Sequence, residues 1–172
     1  WQWNLSRSLA DSYLKSDGTP ITEADRTKTF VDMFTDRDPR MAETIMYPGF
    51  INEGDNSTLP TKIVLDYGGL GQIKFLPRTD ATYGGWGENI TDLPIIRYAE
   101  ILLINAEAKA ELGILTQNDL NATVNLLRSR VEMPEMTINV PIDPALEALY
   151  PSVSGALKLS LIHISEPTRL RR

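Results

Sequence analysis

The residues best suited to meet a ligand are aromatic. Tyr83-Gly-Gly-Trp86-Gly sets an indole among glycines that give it no local cover, and a flat exposed ring of this kind stacks on the C–H face of a sugar. Trp1 and Trp3 are lesser candidates of the same type, while Arg78, Asp80 and Asn89 carry polar groups suited to hydroxyls. Trp86, Tyr83, Trp1 and Trp3 are therefore the candidate ligand-binding residues; the competing reading is that these rings plug the underside of a long loop.

Catalytic chemistry finds less support. Asp and Glu together number 23, but none forms an identifiable pair in an aromatic-lined setting of the kind glycoside hydrolysis needs. Glu100, Glu107 and Glu111 read instead as partners for Arg97 and Lys109 on or between helices. His163, within the last fourteen residues, is the only histidine and there is no cysteine; with that end of the chain read as foreign, the rest lacks the essential groups for Ser-His or Cys-His catalysis and for zinc held by histidine or thiolate. No catalytic residue, metal or cofactor is expected. Arg37-Asp38-Pro39-Arg40 reads as a proline turn whose charges bond one another and the neighbouring backbone. Gly68, Gly69 and Gly71 open no helix and form no dinucleotide fingerprint. The net charge of −6 and pI near 4.8 argue against nucleic acid as a partner.

These residues hang on a helix pair. Asp92 is placed to cap a helix from Leu93 with Pro94 in its first turn, and Gly113 supplies the left-handed stop. Thr116-Gln-Asn-Asp119 opens a second helix close to the capping-box pattern, and Met133-Pro134 closes it. So short a link between Gly113 and Thr116 predicts an antiparallel hairpin over about 93–112 and 117–131. Ile96, Ala99, Leu103, Ala106 and Ala110 share one stripe, but Ile101-Leu-Leu-Ile104 is apolar all round, which places this helix inside a stack. Leu120, Val124, Leu127 and Val131 form the second helix's single seam, with Asn121, Asn125, Arg128 and Arg130 facing elsewhere.

Upstream, Leu5 to Leu14 has helical spacing before the Ser16-Asp-Gly-Thr-Pro20 turn, and Thr22-Glu-Ala-Asp25 opens a further helix. Lys62–Asp66 and Gln72–Leu76 read as short strands of a β-hairpin around the glycines. The expected architecture is mainly α: a loop-rich segment over 1–91, the hairpin over 92–134, and an extended linker over 135–158.

Arg97-Tyr98-Ala99-Glu100-Ile-Leu-Leu-Ile-Asn-Ala106-Glu107-Ala108, followed by Asn125-Leu-Leu-Arg128-Ser-Arg130 and Met133-Pro134, resembles the signature helix pair of the SusD/RagB family. The earlier order of Tyr13, Asp17-Gly18, Pro20-Ile21, Arg37-Asp38-Pro39-Arg40, Thr44-Ile45 and Pro48-Gly49 resembles the same family. The chain departs from it at Val131-Glu132, where the family usually has a small residue and glycine. The resemblance implies a tetratricopeptide-like array of helix pairs in a nutrient-binding lipoprotein on the outer face of the outer membrane. Such a protein binds glycan or another nutrient without reaction and delivers it to a SusC-like TonB-dependent transporter. Rival readings are a tetratricopeptide-like adaptor for a protein partner and a glycosidase.

The chain begins at Trp1 rather than Met and reads as an internal or C-terminal piece of a longer protein, with any export signal or lipid anchor outside it. Leu159 to Arg172, LSLIHISEPTRLRR, resembles translated sequencing-adapter read-through, a non-native tail that includes His163. Arg169, Arg171 and Arg172 against Glu166 make this tail basic, so the rest is more acidic than the whole.

Overall fold

Ser6 accepts the Leu9 amide at 3.2 Å and thereby starts α1 (Arg7–Asp11). Thr22 and Asp25 form a full capping box that starts α2 (Glu23–Arg26). The helix expected over 5–14 is confined to α1, because the chain turns back at once. Ser12 donates its hydroxyl to the Leu9 carbonyl at 2.7 Å. The Lys15 amide then bonds Thr19 across a turn in which Gly18 takes φ +82°. Two 3₁₀ turns follow, Asp32–Phe34 and Pro39–Met41. Together they wrap a core of Ala10, Tyr13, Met33, Met41, Ile45 and Leu70. The computed structural model describes residues 4–52, 60, 69–76 and 94–168.

Among the described residues, β-structure is limited to three isolated antiparallel bridges, Asn4 with Gly71, Lys15 with Arg37 and Ile45 with Gln72. The first arm of the expected hairpin, Lys62–Asp66, lies outside the described residues. The second arm makes the Gln72 bridge and then turns, with the Leu76 amide on the Ile73 carbonyl at 3.0 Å and Phe75 at φ +66°.

The helix pair is present, with three changes. Its first helix, α3, runs Tyr98–Glu111 rather than from Leu93. Arg97 is its N-cap in extended conformation and makes no side-chain cap, and Asp92 is outside the described residues. At the other end the Ile114 and Gly113 amides return to the Lys109 and Ala110 carbonyls with Gly113 at φ +69°, the Schellman closure expected of that glycine. Thr116 and Asp119 make a complete capping box. The second helix is broken, into α4 (Gln117–Ala122) and α5 (Val124–Ser129). Thr123 sits at the break with φ −130° and ψ −85°, its hydroxyl drawn 2.6 Å to the Asp119 carbonyl four residues back.

The third change concerns the polar side of this helix. Asn125 and Arg128, expected to face away from the seam, are buried. The Asn125 amide grips Met136 in both directions, accepting from its N–H at 2.7 Å and donating to its carbonyl at 3.1 Å. The returning chain thus lies along what would otherwise be a solvent face. Leu102, Leu103, Ala106 and Ala110 of α3 pack with Leu120, Val124, Leu127 and Met136 into the helical core. Ile101 and Ile104 stay about half exposed, the second apolar side of α3 anticipated from sequence.

The α5 terminus repeats the α3 closure without glycine. The Met133 and Glu132 amides return to the Arg128 and Ser129 carbonyls, and Glu132, a non-glycine residue, holds φ +58°. A side chain in the left-handed region costs about 1–2 kcal/mol. Glu132→Gly is expected to raise the unfolding free energy by about 1 kcal/mol after glycine's greater unfolded-state entropy is deducted, read as a higher urea midpoint at unchanged slope.

Residues 135–158, expected as an extended linker, contain α6 (Pro144–Leu149). Asp143 caps it by accepting the Ala145 and Leu146 amides, with Pro144 in the first turn. α7 (Ala156–Thr168) follows and packs on α3 through Leu157 and Leu161, so the stretch from residue 159 continues a helix in this structure.

Lys109 pairs with Asp119 rather than with a glutamate, tying the end of α3 to the cap of α4. Glu111 pairs with Lys158 at 2.7 Å. The bond from Lys109 and those from Thr116 hold the Asp119 carboxyl down at about 2. A carboxyl depressed in the folded state contributes stability above its unfolded value near 4 and loses it as pH falls through about 2. Between pH 4 and 2 the wild-type melting temperature should therefore fall more steeply than that of Asp119→Asn.

Candidate functional site

Tyr83, Trp86, Trp1 and Trp3 all lie outside the described residues, as do Arg78, Asp80 and Asn89. The structure describes their flanks. Beyond Trp3, Asn4 bridges Gly71 and the Leu5 amide bonds the Leu70 carbonyl at 2.8 Å. Before and after residues 77–93, Lys74 and Arg97 both stand over the ring of Phe75, at 5.9 and 5.7 Å from its centroid. The roots of the two aromatic segments thus share one stretch, 70–76. Burial, reinforced by the charges of Arg97 and Arg40, lowers the Lys74 ammonium to about 8. This root is a partly dry, positively charged platform.

Beneath it the Arg37-Asp38-Pro39-Arg40 block is structural. Arg37 reaches into the first core and donates to the carbonyls of Ala10 at 2.6 Å, Tyr13 at 3.0 Å and Met33 at 3.2 Å. Asp38 accepts the Arg40 amide at 3.0 Å, and its carboxylate takes both the Arg40 Nε and Nη2. Pro39 opens the 3₁₀ turn that holds the two together. Every charge here meets backbone or another charge of the block, the arrangement expected from the sequence.

His163 is buried between segments far apart in the chain. Nδ1 meets the Ser12 carbonyl at 2.7 Å and Nε2 the Asp143 carboxylate at 2.9 Å. By residue type this resembles a catalytic triad. Yet Ser12 presents its carbonyl to the imidazole, and its hydroxyl is committed to Leu9, so no nucleophile is activated. Burial alone raises the Asp143 carboxyl, but the bonds from His163, Ala145 and Leu146 outweigh it and leave the carboxyl below its ordinary value. Among the described residues no group of three or more His, Cys, Asp or Glu is placed to hold a metal, and no helix is long and apolar enough to cross a membrane.

Sequence reasoning missed a buried polar seam where α5 meets the returning chain. Arg128 donates its Nε to the Pro134 carbonyl and abuts Gly18 of the first turn. The available signal is Gly18 itself: its φ of +82° disfavours a side chain, and a Cβ there would lie 2.8 Å from Arg128 Nη2, so the guanidinium would have to move.

The model of the SusD family matches residues 2–153. A SusD-like carbohydrate binding protein from Bacteroides fragilis NCTC 9343 superposes with a TM-score of 0.65 at 27% identity, over 93% of this chain and 32% of its own. A second SusD-like protein of the same organism gives a TM-score of 0.59 at 23% identity, over 95% of this chain and 35% of its own, and shares the fold. No curated protein matches. The chain spans about a third of the length of these solved structures. A family match that takes in the Arg37–Arg40 block, the helix pair and its Schellman closures alike means that this chain belongs to the SusD family.

Proposed function

We propose that this chain is part of a non-catalytic glycan-binding protein held on the outer face of the bacterial outer membrane by a lipid anchor, which passes its ligand to a SusC-like TonB-dependent transporter. The observation that carries this reading is the likeness, over 93% of the chain at 27% identity, to a SusD-like carbohydrate binding protein. Trp86 and Tyr83, with Trp1 and Trp3, are the proposed stacking residues. The half-exposed Ile101 and Ile104 of α3, with Tyr98 beside them, are read as the face that meets further helices of the array rather than a foreign adaptor target. That the family match stops at residue 153 supports reading 159–172 as a non-native tail.

Calorimetry with a panel of soluble polysaccharides, on a longer form of the protein, tests this directly. Binding without turnover is expected, and Trp86→Ala should weaken it about tenfold. Full retention in Trp86→Ala would remove that residue from the site, and silence across the panel would count against glycan as the ligand.

A further inference from the structure

Gln117, Asn121 and Asn125 stand four residues apart along α4 and α5 and lock one another into a single row. Asn121 Oδ1 accepts from Gln117 Nε2 at 2.9 Å and from Asn125 Nδ2 at 2.8 Å, which fixes the rotation of both outer amides. Their remaining groups all go to one stretch of main chain. The Met136 carbonyl accepts from both nitrogens, at 3.1 Å each. The Met136 N–H donates to Asn125 Oδ1 at 2.7 Å and the Ile138 N–H to Gln117 Oε1 at 3.2 Å. Residues two apart thus present their N–H groups to the same row, the alternation of an extended chain. Met136 is buried with Leu120, Val124 and Leu127, while its neighbours Glu135 and Thr137 are exposed. The row therefore reads a main chain and one unbranched apolar side chain, the means by which an extended peptide is recognised.

Little else holds this stretch. Among the described residues, the main chain of 134–142 forms no hydrogen bond with another main chain. Arg128 Nε on the Pro134 carbonyl pins its start. Met133, in the closure of α5, and Asp143, the cap of α6, fix its ends. A segment with one buried side chain between two fixed ends belongs to the least stable part of a fold. Every residue of the row and of the stretch falls within the family match and precedes the tail read as non-native.

We propose that 134–142 is a detachable strap and that the row of Gln117, Asn121 and Asn125 beneath it is a peptide-binding site. The strap opens as a unit while the helices stay folded, and the row then takes an extended segment of a protein partner that offers methionine or leucine where Met136 lay. Because the strap is tethered at both ends, its high effective concentration keeps the row closed to weak peptides. The site is built without the aromatic segment, so it stands or falls separately from glycan binding.

Hydrogen exchange of the full chain, resolved by NMR, tests the opening. The Met136 and Ile138 amides should exchange together and at least about tenfold faster than the interior amides of α3 and α5; exchange at the same rate as those helices overturns the proposal. The site is tested with a labelled peptide of the strap's own sequence, Pro134 to Pro141, titrated into the Met136→Asp chain, whose resident strap has lost its seat. Saturable binding is expected, at least about tenfold tighter than to wild type, and Asn125→Ala added to that variant should weaken it at least about tenfold. Absence of saturable binding up to about 5 mM peptide, equal affinity for wild type, or indifference to Asn125→Ala overturns it. Where Met136→Asp does not fold, Gln117→Ala serves: it should speed exchange at Met136 and Ile138 severalfold and leave α3 unchanged, and an unmoved strap or an equally accelerated α3 overturns the proposal.

Discussion

Arg37→Met is expected to lower the unfolding free energy by about 3 kcal/mol, enough to leave a domain of ordinary stability near the edge of folding. The arginine donates to three carbonyls at once, those of Ala10, Tyr13 and Met33. Ala10 lies in the last turn of α1, its carbonyl also accepting the Tyr13 amide at 3.4 Å, and Tyr13 follows just beyond the C-cap Ser12. Hydrogen bonds from a charged donor are each worth about 1.5–3 kcal/mol net, and a buried carbonyl left bare loses a further desolvation term. Against this stands the cost of burying a guanidinium, seen in the downward shift that burial imposes on Arg37. Methionine regains that cost and fills most of the volume, which keeps the loss near 3 kcal/mol rather than twice that. Arg37→Lys should recover less than half of it, because one ammonium cannot span three carbonyls on two segments. The measurement is urea unfolding by circular dichroism; a midpoint within experimental spread of wild type in Arg37→Met would refute the assignment.

Which of these features local sequence could announce follows from how far each depends on distant chain. Gly113 and Thr116 were legible because a Schellman glycine and a capping box are satisfied within six residues of themselves. The same local logic was available at Asp143-Pro144, a cap followed by a first-turn proline, and it overrides the extended reading of 135–158. The grip of Asn125 on Met136 is not legible, because it depends on the chain returning along α5, a contact eleven residues away, whereas the break at Thr123 goes with a local bond from its hydroxyl to the Asp119 carbonyl. The burial of Arg128 is illegible for the same reason, since its cover is Gly18 and Pro134, far along the chain or beyond the helix end. Tyr83 and Trp86 stand out by their glycine neighbours and Trp1 and Trp3 by residue type alone; the structure describes the flanks of their segments, Asn4 on Gly71 and Arg97 over Phe75.

Asp38→Ala should be the other severe change, with a cost of about 4 kcal/mol. Its carboxylate side chain is fully buried and that of Arg40 is 11% exposed. Removing the carboxylate strands Arg40 in a largely dry site and strips the cap from the Pro39–Met41 turn, where Asp38 accepts the Arg40 amide. Arg40→Ala leaves the carboxylate its backbone donor at least, so its cost should be smaller, about 3 kcal/mol. The double variant decides whether these are one interaction or two. With both charges gone nothing is left unpaired between them, and its cost should fall short of the summed single losses by about 2 kcal/mol. Strict additivity in that cycle, measured by urea unfolding at pH 7, would mean that the two side chains stabilise the turn independently and that the ion pair contributes nothing.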